Sequence, residues 1–170
     1  MRDGGVITCP LSKLLGSARR GVVRRRRRRA RLKFQSLGMG FRIVIAEPEH
    51  ASDIAQVHVA SWRATYRGIV ADETLAKLDI EARTEQWENR LVRPEPGTCT
   101  FIAIDELSRA VGFATGGPIR SRELNSDGEL YAIYLDQQWH RKGIGRALFS
   151  AVAGYLDEAE FTSIAVWVWN

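Results

Sequence analysis

The sequence predicts an α/β (α+β) fold built on one mixed sheet, in the order strand, two helices, three strands, helix, strand. Three observations predict it. Short β-branched runs are separated by turn residues, apolar residues recur at helical spacing, and a strand–helix–strand passage lies near the C-terminus. At 170 residues the chain is long enough for one domain with a full core.

The first strand is expected over residues 42–46, followed by Pro48, which suits a first helical turn. Ile54, Val57, Ser61 and Trp62 recur at helical spacing up to about Tyr66, and Gly68 marks the stop. A second helical region covers 71–78 and 80–91, with Asp79 as the N-cap between its two parts. Pro94, Pro96 and Gly97 break that pattern. Residues 98–104 and 110–115 read as an antiparallel pair, with Gly116, Gly117 and Pro118 ending or bending the second strand. Residues 129–135 form the next strand. Ile144, Ala147, Leu148, Ala151, Val152, Tyr155 and Leu156 make the apolar stripe of a helix over 143–157. Residues 163–169 are the last strand, parallel to 129–135 across a right-handed crossover.

Charge divides the chain. Residues 1–38 carry twelve Lys or Arg against Asp3 alone, whereas residues 39–170 carry thirteen against nineteen acids. The N-terminal block, with six consecutive arginines from Arg24 to Arg29, repels itself and is expected to be a disordered tail. Three readings of it stay open. Residues 19–33 make weak phosphate contacts with nucleic acid or an anionic membrane surface, or the segment is a targeting sequence, or it has no function and the domain begins at Met39. Its only aromatic residue is Phe34, so base stacking has little support. No apolar run is long enough to span a membrane, and Cys9 and Cys99 lie far apart without metal-ligand spacing, which fits a cytoplasmic protein.

The strongest chemical signal is the passage from Leu130-Tyr131-Ala132-Ile133-Tyr134-Leu135 into His140-Arg141-Lys142-Gly143-Ile144-Gly145-Arg146. A buried strand leads into a glycine-bearing turn that opens a helix. Main-chain N–H groups at a helix start lack intrahelical partners, the glycines admit close approach, and Arg141, Lys142 and Arg146 surround the place with positive charge. That is a cradle for a pyrophosphate.

This turn, its preceding strand and the order of elements resemble the GCN5-related N-acetyltransferase (GNAT) superfamily, over about residues 41–170. The family's acetyl-CoA signature begins with Gln or Arg, where this chain has His140; the two glycine positions match. The segment from Val57 to Gly68 also looks like the first-helix region of small bacterial members. The resemblance implies that acetyl-CoA binds through residues His140 to Arg146 and that Ile133, Tyr134 and Leu135 offer main-chain groups to the pantetheine arm. It implies direct acetyl transfer to a small-molecule or peptide amine. Glu129 is the candidate general base, directly or through water, and an N–H of Leu135 or a neighbour polarises the thioester carbonyl. Trp62, Arg63 and Tyr66 are candidates for the acceptor pocket, although the helical stripe favours Trp62 as a core residue. The acidic balance of residues 39–170 points to a cationic acceptor.

The family continues past the position of Asn170 into a further helix and strands. The sequence therefore leads us to expect a C-terminally truncated sheet with the edge of 163–169 uncovered near Trp167 and Trp169, weak activity, and a homodimer formed through that edge. A non-catalytic CoA-binding remnant and a nucleic-acid-associated protein acting through the arginine tail are the alternative functions.

Overall fold

The computed structural model describes residues 4–11, 40–121 and 124–169. They form a six-stranded mixed sheet with four helices. In chain order these are β1 (Gly4–Pro10), β2 (Phe41–Ile45), α1 (Ala51–Thr65), α2 (Asp72–Ala76), α3 (Ile80–Val92), β3 (Cys99–Asp105), β4 (Ala110–Pro118), β5 (Gly128–Leu135), α4 (Ile144–Glu158) and β6 (Ser163–Trp169). The strand order is β1-β6-β5-β4-β3-β2. All neighbours are antiparallel except β5 and β6, which are parallel and joined through α4 as the sequence predicts.

Each face of the sheet has its own core. α4 covers one side, where Ile144, Leu148, Val152 and Leu156 meet Phe101, Ala114, Leu130 and Ile164, all 5 % exposed or less. α1 and α3 cover the other, where Ile54, Ala55 and Trp87 pack on Ile102, Ile104 and Phe113. Asp79 caps α3 as expected, its carboxylate accepting the Glu81 N–H at 2.9 Å. Pro48 starts a short 3-10 turn that leads into α1, and the Glu47 N–H donates to Nδ1 of His50 at 3.0 Å.

Two expectations are corrected. β4 is longer than the expected 110–115: it continues through Gly116 and Gly117, its register to β5 shifting between Thr115 and Gly116, and ends at Pro118. The missing side chains of the two glycines make room: a Cβ would lie 2.6 Å from Cγ1 of Val152 at Gly116, and 2.6 Å from the Tyr131 hydroxyl at Gly117. The edge of β6 is not left open. Gly4–Pro10 pair along it residue for residue, from Gly4 opposite Trp169 to Pro10 opposite Ser163. Main-chain bonding to β6 satisfies a segment that has little hydrophobic pattern of its own, and Leu11 then enters the α4-side core at 1 % exposure. Trp167 remains 47 % exposed. The arginine block and the proposed start at Met39 lie outside the described residues. Among the described residues, no helix is long and apolar enough to cross a membrane.

Candidate functional site

The site is built where two ladders fail at one place on β5. On one side, pairing with β6 runs from Gly128 to Leu130 and stops. On the other, Leu130 faces Gly116 and Ala132 faces Thr115, so Tyr131 is the extra residue of a β-bulge. β5 nevertheless continues to Leu135. From Tyr131 onward its β6-facing side has no strand partner among the described residues, and Ile133 on this stretch is 37 % exposed. Such a strand edge can accept an extended ligand as an added strand.

The chain then turns through Gln137–Trp139 into the start of α4. His140 sets Nε2 3.1 Å from the Leu135 carbonyl; because a carbonyl only accepts, the ring donates, and it ties the turn to the end of β5. Arg141 and Gly143 both adopt left-handed backbone, at φ 61° and 83°. Gly143 is the N-cap, and no side chain caps the helix. The first bond inside the helix runs from the Ala147 N–H to the Gly143 carbonyl at 3.0 Å. The N–H groups of Ile144, Gly145 and Arg146 thus lie in the first turn without intrahelical partners. A Cβ added at Gly143 or Gly145 meets nothing within 4 Å. Arg141, Lys142 and Arg146 are exposed, and Lys142 Nζ sits 4.5 Å from the Trp139 ring centroid. Three cations at the positive end of a helix suit an anion.

On the α1/α3 side, a cleft of about 600 Å³ reaches Tyr131. Its wall includes His58, Trp87, Thr100, Thr115, Tyr131 and Tyr134, with Arg90, Arg93, Glu95 and Arg120 among its charged residues. His58 stacks on Tyr134 with ring centroids 4.9 Å apart, and Trp87 Nε1 lies 3.4 Å from its Nδ1. Burial, then the charges of Arg83 and Arg90, pull the His58 imidazole down to about 4, so it is neutral at pH 7. Burial pushes the Tyr131 phenol up to about 12; Arg120 opposes this, and the carboxylates of Glu129 and Glu95 add to it. Tyr131 donates its hydroxyl to the Pro118 carbonyl at 2.7 Å.

Glu129 stands at the start of β5, 1 % exposed. Both carboxylate oxygens accept from Arg120, Oε1 from Nη2 at 2.5 Å and Oε2 from the main-chain N–H at 3.0 Å. Burial raises its pKa, but the side-chain and main-chain bonds from Arg120 and the guanidinium charge outweigh that, and the net shift is downward. Glu129 is therefore an ionised carboxylate held by Arg120, whose guanidinium also lies 4.1 Å from the Tyr131 ring centroid.

The three residues expected to line an acceptor pocket lie at the C-terminal end of α1, outside the cleft wall. Trp62 touches it indirectly, donating from Nε1 to the Tyr134 hydroxyl at 2.9 Å. Arg63 donates to the Leu78 carbonyl at 2.9 Å, and Tyr66 packs on Trp62 at 4.8 Å. His58, one turn before Trp62, is the wall residue that sequence reasoning missed; its place on the apolar stripe of α1 was the available signal. Cys99 is not set up as a nucleophile. It is buried and its thiol is pushed up to about 12, mainly by burial.

Comparison with known proteins gives the family and the fold. Residues 57–170 match the model of the acetyltransferase (GNAT) family. Over 123 residues, covering 72 % of this chain and 68 % of the relative, the sequence is 42 % identical to the uncharacterized N-acetyltransferase YuaI of Bacillus subtilis (strain 168). Among solved structures, PaiA N-acetyltransferase from Thermoplasma acidophilum, in complex with coenzyme A, superposes with a TM-score of 0.59 at 24 % identity, covering 71 % of this chain and 74 % of that one. AAC(6')-Iy, in complex with the bisubstrate analog CoA-S-monomethyl-acetylneamine, does so with a TM-score of 0.56 at 17 % identity, covering 74 % and 78 %. With two-thirds of its length matched to the family model and a closely similar N-acetyltransferase relative, this chain belongs to the GNAT family of acetyltransferases.

Proposed function

We propose that the protein is an acetyl-CoA-dependent N-acetyltransferase that moves the acetyl group directly to an amine. The observation that carries this reading is the coincidence at Leu130–Tyr131. Pairing to β6 ends there, the bulge to β4 sits there, and the cleft opens there, while the freed strand leads to an uncapped helix start. The residues fit the cosubstrate. Gly143 and Gly145 leave open space over the free N–H groups, and Arg141, Lys142 and Arg146 supply positive charge for a diphosphate. Ile133, Tyr134 and Leu135 offer main-chain groups to the pantetheine arm, and a structure of the GNAT fold has been determined with coenzyme A bound. His140 acts through its bond to Leu135, fixing the turn against the strand.

Acetyl-CoA supplies an activated thioester. In the transfer a C–N bond forms, the thioester C–S bond breaks, the amine gives up a proton and the sulfur gains one. The chain has to hold the amine neutral beside the bulge and polarise the carbonyl with a main-chain N–H of the freed stretch. Glu129 has both oxygens bonded and almost no exposed surface, so we assign it a positioning role: it fixes Arg120 against Tyr131 at the cleft wall. Trp62 orients Tyr134 through its indole N–H, and Arg63 and Tyr66 steady the segment after α1.

The test is isothermal calorimetry of the full chain with acetyl-CoA, followed by thiol release over a panel of amines. Micromolar binding and amine-dependent thiol release are expected. Absence of binding would refute the proposal, and binding without release on any amine would leave only a CoA-binding protein.

A further inference from the structure

The overall charge of the domain points toward a cationic acceptor, but the cleft is lined differently. Among the described residues, its wall carries Arg90, Arg93 and Arg120 against one carboxylate, Glu95. Arg120 is committed to Glu129. Arg90 and Arg93 have no ion-pair partner among the described residues, where the two ion pairs are Arg109–Asp105 and Arg120–Glu129. The helical neighbours of Arg90 three and four residues before it are Trp87 and Gln86, neither of them acidic, and the helix ends at Val92. The guanidinium of Arg90 is placed, not loose: its carbon lies 5.3 Å from the centroid of the Trp87 ring, and Trp87 is 3 % exposed in the same wall.

His58 at the aromatic side is acted on by the positive charges of Arg83 and Arg90, whereas Tyr131 at the bulge is acted on by Arg120 and by the carboxylates of Glu129 and Glu95. His58 is neutral and adds no charge there. The C-terminal end of α3 favours cations in any case. Here that end opens on a cavity large enough for a small molecule, with an aromatic wall beside it.

Resting on the acetyltransferase reading, we infer that the acceptor is an amine that also carries an anionic group, a carboxylate or a phosphate. Its amine lies toward Tyr131 and Glu95, and its anion is held by Arg90 and Arg93. Arginine recognises either anion with paired N–H donors, and such charge-assisted bonds discriminate by about tenfold or more when the partner group is removed.

The experiment compares matched pairs on the full chain with saturating acetyl-CoA. Protein amino acids are set against their decarboxylated amines, phenylalanine against phenethylamine for example, and O-phosphoethanolamine against ethanolamine. Spermidine and a dipeptide amide are the uncharged-anion controls. The expected result is that kcat/KM favours the anionic member by about tenfold or more in at least one class of pair, carboxylate or phosphate, and exceeds that for spermidine. In R90Q/R93Q that ratio falls toward one, mostly through KM, while the calorimetric affinity for acetyl-CoA stays within twofold of the parent. R90K/R93K retains an intermediate ratio. A preference for spermidine or the decarboxylated amines, or a ratio unmoved in R90Q/R93Q, overturns the inference while leaving the acetyltransferase reading intact. No acetyl-CoA binding, or no thiol release with any amine, overturns both.

Discussion

Replacing Gly145 by alanine probes the helix start without touching its charges. Gly145 is the second residue of α4, and a Cβ added to it meets no heavy atom within 4 Å. Within the protein alone, alanine therefore fits, and its higher helix propensity stabilises the fold by up to about 1 kcal/mol. For a chain of this size that raises Tm by roughly 2–4 °C. The same Cβ occupies the space over the free N–H groups of Gly145 and Arg146. Losing one charge-assisted bond to a phosphate costs about 1.5–3 kcal/mol, so the Kd for coenzyme A rises about ten- to a hundredfold. Stability and affinity thus move in opposite directions. Gly143→Ala separates the two further, because φ of 83° is left-handed and an L side chain there costs about 1–2 kcal/mol, lowering Tm. Scanning calorimetry and titration calorimetry on the same samples read both quantities. If Gly145→Ala raises Tm and binds coenzyme A as tightly as the parent, the turn does not hold a phosphate and the reasoning fails.

Three other outcomes test the frame around the site. The Asp127 carboxylate takes four bonds from the N–H and hydroxyl groups of Thr162 and Ser163, at 2.7 to 2.9 Å, so Asp127→Ala costs about 2–4 kcal/mol in urea unfolding. Burial raises its pKa but those bonds bring it down to about 2 from 3.8, so its stabilisation is complete above pH 4 and is lost as pH falls toward 2; a parent–variant difference that is flat between pH 5 and pH 2 contradicts this. Leu11→Ala lowers stability by about 2–4 kcal/mol, because the side chain is buried in the α4-side core, and a loss under about 0.5 kcal/mol would mean that this residue is not docked. The His58 imidazole, held near 4 against 6.5 in an unfolded chain, stays neutral in an NMR titration to below pH 5, and it lowers stability as pH falls from 6.5 toward 4; a midpoint near 6.5 would contradict its burial.

What could be read along the chain was what neighbours in sequence decide. The helix start at Gly143 follows from an apolar stripe, two glycines and the strand before them, neighbours along one stretch of chain, and it stands where expected. The N-cap of Asp79 is equally local. β1 was not legible, because Gly4, Gly5 and Pro10 weaken any strand pattern and the segment is ordered by its pairing to β6, more than 150 residues away. The bulge at Tyr131 was hidden for the same reason: it exists only as a mismatch of register between β5 and β4. In the sequence Glu129 looks like an available base because its position at a strand start is visible there, whereas its partner Arg120 lies across a loop and becomes a partner only when β4 and β5 are paired.

The acceptor cleft extends that argument to charge. Net charge sums over the whole surface with equal weight, but a bound molecule responds to the few groups within a Debye length that the fold turns toward it. Residues 39–170 are acidic overall, and several of those acids, Asp105, Asp127 and Glu129 among them, spend their charge on bonds inside the frame. Arg90 and Arg93 have no ion pair among the described residues; α3 sets Arg90 over the Trp87 ring, and Arg93, its C-cap, joins it on the wall. A sequence-wide sum and a cavity lining therefore point to different signs of ligand when the majority charge is used up in structure and the minority charge lines the cavity. That is why the paired-amine comparison, rather than any refinement of the domain's pI, decides what this site acetylates.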